Sequence, residues 1–235
     1  MVNIDTVYQK VLVLLNKELR GYLTPQEFNL MAHRAQMEIF SSYFYDLKTA
    51  YHKPKTNTSY SDETEMLQMK MHPFRSRGTY EMQDFDDNTI VLPNMIYFLD
   101  TVTIDGTNTI LTEMTHEEIL YAQSNPLAQP IASRPVYEYY QNNKIIVYPT
   151  PSEITTFKFD YWRYPYTPNW AYVVVKGKAL WNGSSATNRH FELHVCEEEN
   201  LVNRILQLSG VVVQKPGIVE VGMAEKANVK NDQND

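Results

Sequence analysis

The stretch from Thr24 to Lys53, TPQEFNLMAHRAQMEIFSSYFYDLKTAYHK, constrains the fold of this chain more than any other. Thr24 can cap a first helical turn, Pro25 suits the first helical position, and Glu27 can reach back to the cap amide to complete a capping box. From Phe28 onward, Met31, Ala32, Ala35, Ile39, Tyr43 and Leu47 recur at intervals of three and four, which predicts a long helix with one buried face. A second apolar set, Leu30, Met37, Phe40, Phe44 and Tyr51, falls roughly on the opposite side. Such a helix standing alone would leave a stripe in water, so a cover is expected: either the β-rich middle of the same chain or an identical neighbour. These five residues are the candidate subunit-interface positions.

The flanks suggest what surrounds that helix. A first helix is expected from Asp5 or Thr6 to Glu18, with Gly21 as its stop, so the two helices should form a hairpin. The run from Lys53 to Ser59 reads as a mobile polar loop, followed by a shorter helix carrying Met66, Leu67 and Met69 that His72-Pro73 ends. From Thr89 the pattern turns to strands. Asp105-Gly106 marks one hairpin, Gln141 to Asn143 a second, and Thr155 to Tyr164 alternates Phe157, Phe159 and Tyr161 with Lys158, Asp160 and Trp162. Thr115 to Glu118 forms another capping box, opening a helix to about Gln123. Trp170 to Val175 is a candidate strand, and a last helix is expected from Thr187 or Asn188 to about Ser209.

The expected architecture is therefore α+β: N- and C-terminal helices forming a bundle around a long central helix, with an inserted small antiparallel β domain. In domain terms, 1–88 is an N-terminal helical part, 89–165 an inserted antiparallel β-rich domain, 166–213 a C-terminal helix returning to the helical part, and 214–235 an extended tail.

Composition narrows the functional classes. A chain of 235 residues with 43% hydrophobic and 21% charged residues is that of a folded protein, and no apolar run approaches the length of a bilayer crossing. The N-terminus lacks a basic segment followed by an apolar one, so no secretory leader is expected. Cys196 stands alone and cannot form an internal disulfide. A net charge of −7 argues against a general nucleic-acid binder, although a channel through which DNA slides can have a neutral or acidic wall. Many of the 17 tyrosines lie between Tyr137 and Tyr172, where strands with polar tips suit contact surfaces.

Catalytic signatures are weak. The sequence contains no GxGxxG, GxxxxGK[ST] or G-x-S-x-G pattern. His190 and His194 would share a face of the expected last helix and could ligate zinc with Glu197 or Glu198 one turn on, but the acid between them is Glu192, one place later than in H-E-x-x-H. Asp84, Asp86 and Asp87 lack the Gly and distal Glu of a calcium loop. Neither a catalytic residue, a metal site nor a cofactor is expected, and a metal-dependent hydrolase using His190 and His194 is the remote alternative. Lys48, Lys53, Lys55, Arg75 and Arg77 are too scattered for a nucleic-acid site.

Several segments resemble a known family when taken in order: RGYLTPQEFNL from Arg20 to Leu30, AQMEIF from Ala35 to Phe40, and YFYDL from Tyr43 to Leu47. Further along come YPTP from Tyr148 to Pro151, YWRYP from Tyr161 to Pro165, PNW from Pro168 to Trp170, Glu192-Leu193, and NLVNRIL from Asn200 to Leu206. Together these resemble the head-to-tail neck or ring proteins, also called portal adaptors or connectors, of podovirus-like tailed bacteriophages, especially crAss-like and related marine phages. The resemblance implies a non-enzymatic structural protein of the virion neck, made in the host cytoplasm. It implies a homo-oligomeric ring of twelve identical subunits, a dodecamer, docked beneath the portal protein, meeting other neck or tail ring proteins and lining the passage of double-stranded DNA during ejection, with no membrane partner. The alternative within the same particle is another tail or fibre-attachment protein.

Overall fold

The computed structural model describes residues 1–19, 23–52, 58–81, 88–107, 109–141, 143–151 and 155–212. The chain divides into two compact units, one built from Met1–Pro73 and Pro165–Asp235 and the other from Phe74–Tyr164. The second is thus inserted into the first.

The first unit contains α1 (Ile4–Leu19), α2 (Pro25–His52), α3 (Thr58–Met71) and α5 (Glu198–Val212), together with a two-stranded hairpin of β8 (Tyr172–Val175) and β9 (Lys178–Trp181). The start of α2 follows its capping chemistry. The Thr24 N–H donates to Glu27 Oε2 at 2.9 Å, and the Glu27 N–H donates back to Thr24 Oγ1 at 3.3 Å. The Thr24 hydroxyl also donates to Glu27 Oε2 at 2.6 Å, and this bond, followed by the one from the Thr24 N–H, holds the Glu27 carboxyl below its ordinary pKa, because both favour the charged form. The expected face is buried at Phe28, Met31, Ala32, Ala35, Ile39 and Tyr43.

The second unit is a single seven-stranded sheet in the order β1-β7-β3-β4-β5-β6-β2. Its strands are β1 (Arg75–Glu81), β2 (Thr89–Val91), β3 (Ile96–Ile104), β4 (Thr109–Glu113), β5 (Val136–Gln141), β6 (Lys144–Tyr148) and β7 (Thr156–Arg163). All neighbours are antiparallel except β4 and β5, which run parallel through Thr112↔Val136 and Glu113↔Tyr137. A parallel pair needs a crossover, and α4 (His116–Ser124) supplies it after the Thr115 capping box. One core of Ile90, Leu92, Leu99, Val102, Leu111, Tyr137, Ile145, Val147, Phe157 and Phe159 runs across both hairpins. The buried carboxylate of Glu138 is met by the Tyr148 hydroxyl at 3.0 Å and His116 Nδ1 at 3.0 Å, as burial of a charged group requires.

These features overturn the expectation of a helical bundle around a long central helix with a small antiparallel insertion. The largest element is a seven-stranded mixed sheet, accompanied by five helices among the described residues. Two physical causes lie behind the difference. RSRGTYE of β1 has no apolar alternation, and it is a strand because it pairs residue for residue with β7, from Arg75↔Trp162 to Glu81↔Thr156. The parallel β4–β5 contact then fuses two hairpin systems into one sheet, which no local pattern announces. Nor is α2 a bundle centre: α3 and α5 pack along it, while Leu30, Arg34, Ser41, Tyr45 and Lys48 leave an exposed face.

The last helix also starts later than expected. Residues 187–194 are irregular, and a 3-10 turn at Val195–Glu197 leads into α5 at Glu198. The segment is instead held by isolated bridges, Val2↔Phe191 and Asn169↔Arg189. Of the expected polar loop at 53–59, residues 53–57 lie outside the described residues and Thr58 and Ser59 instead open α3; the tail 214–235 also lies outside them.

Candidate interaction surface

The inner side of α2 carries polar hooks as well as apolar packing. Gln36 is fully buried; its Nε2 donates to the Tyr166 carbonyl at 2.8 Å, and its Oε1 accepts from the Glu192 N–H at 3.2 Å. Glu192 in turn accepts from the Tyr166 N–H at 2.9 Å. About two turns earlier, Asn29 grips Trp170, accepting from its N–H at 2.8 Å and donating to its carbonyl at 3.3 Å. The Trp170 indole N–H donates to Asp5 Oδ1 at 2.9 Å, and its ring lies 4.3 Å from that of Tyr8. The segment between Pro165 and Leu193 is thereby laid down on α1 and α2, which positions whatever it carries.

What it carries is the β8–β9 hairpin. Val175 pairs with Lys178, so Lys176 and Gly177 form a two-residue loop, with φ of 49° and 77° as a type I′ turn requires. At the base, Tyr172 stacks on Trp170 with ring centroids 5.9 Å apart, and the Asn182 N–H donates to the Ala171 carbonyl at 2.9 Å. Above the base, Val173, Val174, Val175, Leu180 and Trp181 are all exposed. Cross-strand partners share a face, so Val173 and Leu180 lie on one side and Val174 with Trp181 on the other. Both sides of the ribbon are apolar. The sequence reading reached Trp170 to Val175 as a possible strand but missed its partner; Lys176-Gly177 between Val-Val-Val and Ala-Leu-Trp was the signal that could have found it.

The five candidate interface residues of α2 do not form one stripe. Leu30 is 75% exposed, Met37 and Phe44 are half-buried, and the side chain of Tyr51 lies outside the described part. Phe40 has no exposed surface and meets the Phe44 ring edge-on at 5.2 Å, so it is core of its own chain rather than an interface residue. Both α3 and α5 lie against α2, and Phe40 is fully buried within its own chain.

The residues weighed for chemistry have other tasks. Because 187–194 is not helical, His190 and His194 do not share a helical face, which removes the basis of the zinc reading. His190 Nδ1 accepts from the Ile4 N–H at 3.2 Å, and His194 caps the 3-10 turn by accepting from the Cys196 N–H at 3.3 Å. The Cys196 thiol lies 3.0 Å from His194 Nδ1, and burial pushes its pKa up, the direction of a less reactive sulfur. Next to it Lys70 pairs with Glu197 at 2.8 Å, the side chains only 14% and 7% exposed, with Asn200 Nδ2 donating to Glu197 at 2.9 Å. Arg75 and Arg77 are paired on the sheet with Asp100 and Asp160. Asp84, Asp86 and Asp87 lie outside the described residues.

Exposed apolar side chains recur on separate elements: Val13 and Leu14 on α1, Leu30 and Tyr45 on α2, Met66 and Met69 on α3, Leu120 and Tyr121 on α4, and the β8–β9 ribbon. No protein-family model matches the chain, and no curated protein matches it either.

Proposed function

We propose that the chain is a structural subunit of a tailed-phage virion, one of a ring of identical copies that joins the portal to the tail and lines the DNA passage. The observation that carries the reading is the distribution of exposed apolar residues over α1, α2, α3, α4 and the β8–β9 ribbon. A subunit with neighbours on several sides needs apolar contact on several sides, whereas a ligand-binding protein concentrates it in one concave site. The resemblance carried by RGYLTPQEFNL and the later segments points the same way. Portal protein, adjoining neck or tail rings, and transient double-stranded DNA are the partners this role entails.

The test is the place of the protein in the particle. Mass spectrometry of purified virions followed by imaging of the neck should find it at the junction of head and tail, in ring stoichiometry. Its absence from virions would overturn the reading, and its presence at the distal tail or fibres would replace it with the other virion role.

A further inference from the structure

All 28 Asp and Glu residues lie outside the span from Pro165 to Phe191, which contains Lys176, Lys178 and Arg189. In a chain of net charge −7 this is a local reversal of sign. Arg189 is engaged, its guanidinium 4.8 Å over the Tyr166 ring, so the positive charge available to a partner is that of the hairpin tip. Two-stranded ribbons are marginal in water even when their turn is favourable, and this one exposes valine, leucine and tryptophan on both faces, with Val174 at 66%. Its shape and chemistry are those of an arm that is completed by being covered.

We infer that the β8–β9 hairpin docks on a second copy of this chain, against the outer face of α4. This inference rests on the ring reading for the presence of that copy. Glu117, Leu120 and Tyr121 stand three and four residues apart and therefore share one helical face, and all are exposed, Tyr121 at 77%. The receiving face thus offers two large apolar side chains beside a carboxylate, the complement of an apolar ribbon tipped by two ammonium groups. DNA phosphates would satisfy Lys176 and Lys178 but would leave Val173, Val175 and Leu180, which share the Lys178 face, in water. An arm on one copy and a receiving helix on the next make a heterologous contact, the kind that repeats around a ring when its rotation closes.

The experiment compares oligomeric state, by native mass spectrometry and sedimentation, for the full chain and four variants: Leu180→Asp, Lys178→Glu, Glu117→Lys, and Lys178→Glu with Glu117→Lys. Each altered side chain is exposed, and thermal unfolding checks that each variant keeps its fold. Leu180→Asp, on the same face of the ribbon as Lys178, should weaken self-association about tenfold or more, as loss of a central contact does. Lys178→Glu and Glu117→Lys should each weaken it several-fold, and their combination should restore it. Self-association unchanged by Leu180→Asp overturns the docking while leaving the ring reading standing. Failure of the double variant to recover when both single variants dissociate overturns α4 as the receiving face, and a parent protein that stays monomeric overturns the second copy as the occupant. Variants that assemble normally yet bind a double-stranded DNA fragment less well assign the hairpin to phosphate and also overturn it. Arm-dependent self-association in a protein absent from virions supports the docking and ends the ring reading instead.

Discussion

Gln36 is the position at which a single side-chain change should have the most informative effect. In Gln36→Leu the volume is nearly kept, so the change isolates the two hydrogen bonds to Tyr166 and Glu192. The two orphaned groups are not equivalent. Glu192 is buried, and its N–H, left without a partner, should cost about 1–3 kcal/mol. Tyr166 is exposed, so its carbonyl can turn to water and only the net worth of a bond is lost, about 0.5–1.5 kcal/mol. The expected destabilisation is therefore about 1.5–4.5 kcal/mol, or roughly 3–18 °C in unfolding midpoint for a chain of this size. Calorimetry measures the midpoint. Hydrogen exchange should localise the effect, with faster exchange at residues 166–192 and little change in the β-sheet unit. A midpoint within about 1 °C of the parent protein would refute the reasoning, because it would mean that the buried amide could be dispensed with.

Two other positions test the sheet. A Cβ on Gly78 would stand 2.3 Å from Cε2 of the buried Phe159 ring, so Gly78→Ala should destabilise by about 1–3 kcal/mol in denaturant unfolding, and an unchanged stability would show that the ring gives way freely. Asp160 receives Arg77 Nε at 2.6 Å and Nη2 at 3.0 Å; that bond, reinforced by the positive charge of Arg77 and Arg75 against an opposing burial effect, holds its carboxyl below the ordinary value of 3.8. Since the folded pKa is depressed, the pair stabilises above the unfolded value and is lost as pH falls through the folded one. The midpoint should therefore fall more steeply as the pH drops below 3.8 in the parent than in Asp160→Asn, and equal slopes would show that the pair carries none of the acid sensitivity.

What could be read from the sequence was chemistry that closes within a few residues. The capping boxes at Thr24 and Thr115, the Asp105-Gly106 hairpin, and the alternation of Phe157 and Phe159 each reappear in the structure. The misses depend on partners far along the chain. RSRGTYE becomes a strand only because β7, about 80 residues on, offers its edge. HFELH has helical spacing but is drawn into bridges and caps by Val2, Ile4 and Gln36. The interface reading of Phe40 failed for the same reason, since helical periodicity gives a face but not what lies against it. Gln36 and Asn29 passed unnoticed because polar residues on an apolar face carry no local mark of the carbonyl they will meet.

The insertion of one unit within the other has a consequence for synthesis on the ribosome. The sheet needs nothing from outside Phe74–Tyr164 to complete its hydrogen-bond ladder, but α2 must wait for Trp170, Glu192 and finally Arg204, whose bond to Glu38 joins residues 166 positions apart. At typical elongation rates that delay is on the order of ten seconds. Throughout it α2 has Tyr8 of α1 and the helix α3 to pack against but neither α5 nor the segment after Pro165, while the later-born sheet can already be finished. The helix that emerges early is thus among the last parts to reach its final surroundings, and a nascent chain stalled before residue 165 should present a folded sheet trailing a half-covered helix for chaperones to hold.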